Sequence, residues 1–322
     1  MKTREDLKSF FDVVLSPGLK ELEKKRLKVL NSVILVEAGV LAVTLLVAGL
    51  VYNSGGGEPL LSVLFIGVLV MAGLFAVLTH SFRSPFKETV IRPLVRFFDE
   101  SLSYTPDGCI SCDLYTCSKL FLHHVDEYRG DDLVEGMIGK TRVKFSELHT
   151  QYKVETRDSK GRRQTQWHTI FKGLFFIADF NKNFSGRTVV LPDQAERCLG
   201  GFGKFLQSKN VSRDPLVSMD DPGFEKEFVV YGTDQIEARY ILTSSLMSRV
   251  MNFRRKTGRN LYLSFIDSAI FIAIPYAKNL FEPNIFRTLL DFKPVEEYFN
   301  DLNTALSIVE ELNLNTRIWS KV

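Results

Sequence analysis

The chain has 322 residues, with 41 Lys and Arg against 38 Asp and Glu and a formal net charge of +3. So even a balance excludes the strongly basic class of nucleic-acid-binding proteins, and no nucleic acid is expected as a partner. The length suffices for one large domain or two small ones beside any membrane segment.

Residues 1–32 read as a cytoplasmic amphipathic helix, broken at Ser16-Pro17 and resumed over Gly18–Leu30 with a strongly basic face. Two apolar segments follow, Val33–Tyr52 and Leu60–Thr79, each 20 residues long and joined by Asn-Ser-Gly-Gly-Gly-Glu-Pro. About 20 residues is what an α-helix needs to cross a bilayer core of about 30 Å. The second segment has no charged residue and the first has only Glu37. A soluble core helix of this length ordinarily keeps a polar face. Residues 33–79 are therefore read as a transmembrane hairpin. Ala38, Gly39 and Ala42, with Ala72, Gly73 and Ala76, are the small residues expected to let its helices approach.

Lys20, Lys24, Lys25, Arg26 and Lys28 precede the hairpin, and Arg83, Lys87, Arg92 and Arg96 follow it, whereas the turn has no Lys or Arg. Positive charge stays inside, so both termini are expected in the cytoplasm, with the chain multi-pass in the membrane. The lipid bilayer is then the first partner, its anionic headgroups facing the basic flanks. Glu37 stands about one turn into the first span. It is either an ion or proton site between helices, which two spans could serve only as a homo-oligomer, or an interfacial carboxylate that reaches water. The second is the expectation.

Residues 80–102 carry Val90, Ile91, Leu94, Val95, Phe97 and Phe98 near helical spacing and read as a juxtamembrane helix. Residues 103–322 read as a cytoplasmic α+β domain. Strands are expected at Arg142–Glu155, Gln166–Phe180, Thr188–Leu191 and Phe224–Tyr231, with a hairpin of Leu261–Ile266 and Ala269–Pro275. Helices are expected at Asp193–Ser208, Asp234–Lys256 (one or two helices, stopped by Gly258) and Val295–Leu312. The sheet is mostly antiparallel with flanking helices, and residues 207–223 are the best place for a subdivision.

Cys109, Cys112 and Cys117 form C-x2-C-x4-C, with His123 and His124 close behind. Thiolates and imidazoles at this spacing can hold zinc, or a thiol pair can do redox chemistry. Without a second C-x2-C, small buried apolar cysteines in a reducing cytoplasm are the expectation. Gly136-Met137-Ile138-Gly139-Lys140-Thr141 lacks the four-residue gap of a phosphate loop and is read as a glycine turn feeding a strand. Asp131-Asp132, Asp179 with Asn181, and Asp220-Asp221 are acidic candidates for a divalent cation or acid–base work. Gly130–Asp132 and Ala178–Lys182 are the favoured ligand-binding stretches, because loop ends beside apolar strands gather polar groups there. No nucleophile–base motif is readable.

Several stretches carry a resemblance: Tyr128-Arg129-Gly130-Asp131-Asp132, Gly136 to Thr141, Phe145-Ser146-Glu147-Leu148, Phe171 to Phe176, Ala178 to Lys182, Asp234-Gln235-Ile236-Glu237-Ala238-Arg239-Tyr240, and Leu312 to Trp319. With the hairpin, they resemble a bacterial membrane-anchored family known as domain of unknown function 3137. The resemblance implies no activity, substrate or catalytic residues. It suggests a LemA-type membrane protein as a partner. The resulting expectation is a membrane-anchored binding or scaffold domain. The alternative is a metal-dependent hydrolase acting near the membrane through a site of unfamiliar pattern.

Overall fold

The computed structural model describes residues 2–55, 57–157, 161, 163–180, 182–193 and 213–315. The chain divides into two units. One comprises residues 2–97 and 281–299, and the other residues 98–280 and those from 300 onward.

The first unit is helical: α1 (Arg4–Phe10), a π-helical turn (Phe11–Leu15), α2 (Ser16–Asn53), α3 (Gly57–Phe86), a second π-helical turn (Lys87–Ile91) and α4 (Arg92–Phe98). Thr3 and Asp6 form a capping box that starts α1. The break expected at Ser16-Pro17 does not occur. Pro17 lies inside a continuous helical stretch, and the π-helical turn just before it accommodates the missing N–H and keeps the backbone helical. Pro93 stands in the same place after the second π-helical turn. The helical stretches 4–53 and 59–98 are both long and apolar enough to cross a membrane. Their most apolar windows are only 11% and 6% buried, whereas the core helix of a soluble domain is mostly buried.

Segment 281–299 packs against the polar end of this hairpin. Arg26 and Glu23 form a buried pair at 2.7 Å. Glu23 also accepts from the Leu289 N–H and the Thr288 hydroxyl, each at 3.1 Å, and Arg26 donates to the Ile285 carbonyl. Glu282 pairs with Arg83 at 3.2 Å and Lys87 at 3.4 Å. Phe86 packs edge-on to Tyr298, with centroids 5.3 Å apart. Basic residues expected only to flank the spans therefore also tie a distant segment to them.

The second unit is built on an eight-stranded antiparallel sheet in the order β1-β2-β3-β4-β8-β7-β5-β6. Its strands are β1 (Ser103–Thr105), β2 (Glu127–Ile138), β3 (Thr141–Arg157), β4 (Arg163–Asp179), β5 (Arg187–Pro192), β6 (Phe228–Gly232), β7 (Tyr262–Ile266) and β8 (Ala269–Pro275). The helices are α5 (Cys112–Cys117), α6 (Pro222–Glu227), α7 (Gln235–Ile241), α8 (Ser244–Thr257) and α9 (Phe292–Glu311), the last divided between the units. The α+β class and the mostly antiparallel sheet agree with expectation. One face buries Leu148, Phe171, Phe175, Val189 and Phe271 around Tyr115 of α5. The other buries Phe145, Leu174, Phe176, Phe265 and Ile272. Burial on both faces explains why β4 reads as an almost continuous apolar run rather than an alternation.

Two expectations are corrected. Phe224–Tyr231 is not one strand: Asp221 caps α6 through the Gly223 and Phe224 N–H groups, and pairing starts at Phe228. Gly130–Asp132 is not a loop end but lies inside β2, at the irregular pairing between Asp131 and Val134. The helix expected at Asp193–Ser208 falls, after Asp193, outside the described residues. The subdivision expected at 207–223 falls in part outside the described residues, which resume at residue 213.

Candidate functional site

The turn between β2 and β3 is Gly139-Lys140, with Gly139 at φ 61°. Asn315 pins it, its Oδ1 accepting from the Lys140 N–H at 3.0 Å and the Thr141 hydroxyl at 2.9 Å. This is the expected glycine turn, and it lies within one of the stretches that carry the resemblance, Gly136 to Thr141. Another such stretch is also structural. Asp234 caps α7, and Glu237 accepts from the Ser185 and Gly186 N–H groups at 2.8 and 2.6 Å. Lys182, expected to bind ligand, lies over the Tyr240 ring, 4.5 Å from its centroid, and donates to the Tyr240 carbonyl. Burial pushes its ammonium below the usual lysine range. Asn181 lies outside the described residues.

Cys112 and Cys117 are exposed at the two ends of α5, and Cys109 is half-buried before it. Five residues along an α-helix turn through about 500°, so these two side chains leave α5 about 140° apart. Among the described residues, no group of metal-ligating atoms gathers at these thiols. Burial, and secondarily the Asp131 carboxylate, push the Cys109 thiol up. Gly130 is the close neighbour of Cys109: a Cβ there would come within 2.7 Å of Cys109 Cβ, 2.6 Å of Leu148 Cδ2 and 2.7 Å of the Glu147 carbonyl. Its place in the motif has a packing reason.

Asp131 and Asp132 meet Glu147, a residue sequence reasoning passed over. The three offer carboxylate oxygens within 4.8 Å of one another. The register sets Asp131 opposite Glu147, and Asp132, fully buried at φ 59°, turns inward at the irregularity. Hard divalent cations take such oxygens. Here the Tyr104 hydroxyl donates to Asp132 and the Leu280 N–H to Glu147, as structural partners do. None of the three lines the groove described next.

That groove has a volume of about 580 Å³ and lies on the face of the sheet that α5 covers in part. Its floor follows the register. One row runs Ser103–Glu135–Lys144–Ile177, and the next sets Met137 opposite Arg142 and Asp179 opposite Ala269. Leu114 of α5 lines one side. Glu135 and Lys144 pair at 2.9 Å. The result is an apolar trough edged by both signs of charge, with no histidine or cysteine in its lining. Its apolar floor and charged edges suit binding of an amphiphilic ligand or an extended peptide. Of the expected site residues, the groove takes in Asp179. Glu135, Arg142 and Lys144 were missed, although their alternation along β2 and β3 was the available signal.

Residues 169–314, from β4 through α9, match the family described as "Protein of unknown function (DUF3137)", so the resemblance holds over that stretch. No curated protein matches the chain. Among solved structures, the crystal structure of the mycobacterial trehalose monomycolate transport factor A, TtfA, is similar with a TM-score of 0.33 and 11% identity. The likeness covers 68% of this chain and 93% of that one, and is too slight to bear on function.

Proposed function

We propose that this protein is a binding or scaffold domain held at the cytoplasmic face of a bacterial inner membrane by the α2–α3 hairpin. The observation that carries the reading is the exposure of two long apolar helices that the described residues leave largely unburied. The asymmetry of Lys and Arg supports cytoplasmic termini. The groove over β2, β3 and β4 is the seat for a protein partner or small amphiphilic ligand, and a LemA-type membrane protein is the first candidate partner.

Native mass spectrometry of the full-length protein, gently extracted from its own membranes, tests the function. A stoichiometric partner or ligand that is lost in Lys144→Glu supports the reading. A chain that carries nothing, or whose cargo is indifferent to the groove, contradicts it. Topology has its own test. A reporter fused after Val322 should be active only in its cytoplasmic form, and activity of a periplasm-only reporter overturns the orientation.

A further inference from the structure

We infer that segment Glu282–Leu290 lies at the cytoplasmic leaflet beside α3, with Phe286 against lipid acyl chains and Leu290, next to the Leu289 N–H held by Glu23, nearer the headgroups. The inference rests on the reading of α2–α3 as a membrane hairpin.

Phe286 is 66% exposed and Leu290 49% exposed. Yet the Phe286 ring stacks on Phe75, with centroids 6.0 Å apart and planes 11° from parallel. Phe75 stands four residues inside the apolar span that ends at Thr79, about 6 Å along the helix axis. A side chain that stacks on Phe75 shares its depth. The exposed surface of α3 at this level is apolar too, with Val77 70% exposed. Phe286 thus continues the surface that lipid covers, which makes acyl chains its occupant.

The backbone of the segment is prepared for leaving water. The Phe286 N–H donates to Asn284 Oδ1 at 2.9 Å, and the Arg287 N–H donates to the Asn284 carbonyl at 3.2 Å. The Leu289 N–H donates to Glu23 at 3.1 Å and the Leu290 N–H to Thr288 Oγ1 at 3.3 Å. The Ile285 carbonyl accepts from Arg26. Ile285 and Leu289 are buried by the protein itself, and the pairing of Phe286, Arg287 and Leu290 also meets what a bilayer demands, because an amide without a partner is costly there. The charges suit the same depth. Arg83 and Lys87 gather on Glu282 at the level expected for headgroups, and the long stem of Arg287 reaches outward to Glu297 at 3.2 Å.

The test uses the full chain with Trp167→Phe and Trp319→Phe, so that the indole introduced by Phe286→Trp is the sole emitter. The protein is reconstituted in phosphatidylcholine and phosphatidylglycerol vesicles carrying lipids brominated at defined acyl positions. The expected result is blue-shifted emission, quenched most strongly by bromines near the headgroup end of the chains. Leu290→Trp is measured in parallel, so a folding defect in one variant does not decide the outcome. Water-like, unquenched emission from both overturns the proposal. Shielded emission that ignores bromine and grows with protein density places a second copy there and also overturns it. Flotation of the same vesicles after an alkaline carbonate wash reports the hairpin separately. A chain that floats without quenching removes only the segment's insertion, and one that fails to float removes the anchor itself.

Discussion

Gly67 lies so close to Thr44 that a Cβ built on it would come 2.4 Å from Thr44 Cγ2 and 2.7 Å from Oγ1. The threonine cannot yield easily, because its hydroxyl is held on the Val40 carbonyl at 2.8 Å. This is where the two apolar helices approach. Gly67→Leu is expected to separate them and destabilise the hairpin by about 1–3 kcal/mol. Gly39→Ala and Gly73→Ala, where an added Cβ meets nothing within 4 Å, should be silent. Thermal unfolding in detergent, followed by circular dichroism, checks the contrast.

Glu23 is a buried contributor to the response of the helical unit to acid. Its hydrogen bond from Arg26 holds the carboxyl below the usual range, and the Leu289 N–H and Thr288 hydroxyl add to this. A carboxyl with a lower pKa folded than unfolded contributes stability above its unfolded value and loses it as pH falls through the folded one. Stability should therefore decline below about pH 4. Glu23→Gln should flatten that decline and cost about 3 kcal/mol at neutral pH, because Arg26 stays buried without its counter-charge. Unfolding midpoints measured across pH for both chains test this.

Gly130→Ala separates packing from ligand binding. A methyl group there collides with the Glu147 carbonyl as well as with two side chains, so the backbone of β2 or β3 must move. A loss of about 1–3 kcal/mol is expected. A variant of unchanged stability that loses a bound ligand would return Gly130 to the binding role.

The cysteines should differ in reactivity. Cys112 and Cys117 are exposed, while Cys109 is half-buried with its thiol pushed up, so less of it is thiolate at a given pH. Timed alkylation at mildly alkaline pH with peptide mapping should modify Cys112 and Cys117 first. Asp131→Asn, which removes the nearby negative charge, should speed Cys109.

Much of the fold was legible because its signals are local. Twenty-residue apolar runs, alternation in β3, the turn at Asp267-Ser268 and the stop at Gly258 each need only neighbours in sequence. The Thr44–Gly67 contact was not legible, since small residues alone do not say which one faces the partner helix. β2 was obscured because Asp131 and Asp132 look like loop residues, and only the cross-strand partners Glu147 and Tyr104 explain two carboxylates inside a strand. The groove was half legible. Its charged row alternates along β3, but the neighbouring rows come from strands far away in sequence.

The chain passes from one unit to the other after residues 97, 280 and 299. Neither unit is therefore a contiguous cassette. A gene fragment starting at residue 98 would still encode residues 281–299, including the Glu282, Thr288 and Tyr298 that belong with deleted helices. Their apolar neighbours would be left bare, and the fragment would tend to aggregate. A single recombination point cannot exchange the membrane unit for another either, so the two halves must be inherited, and altered, together.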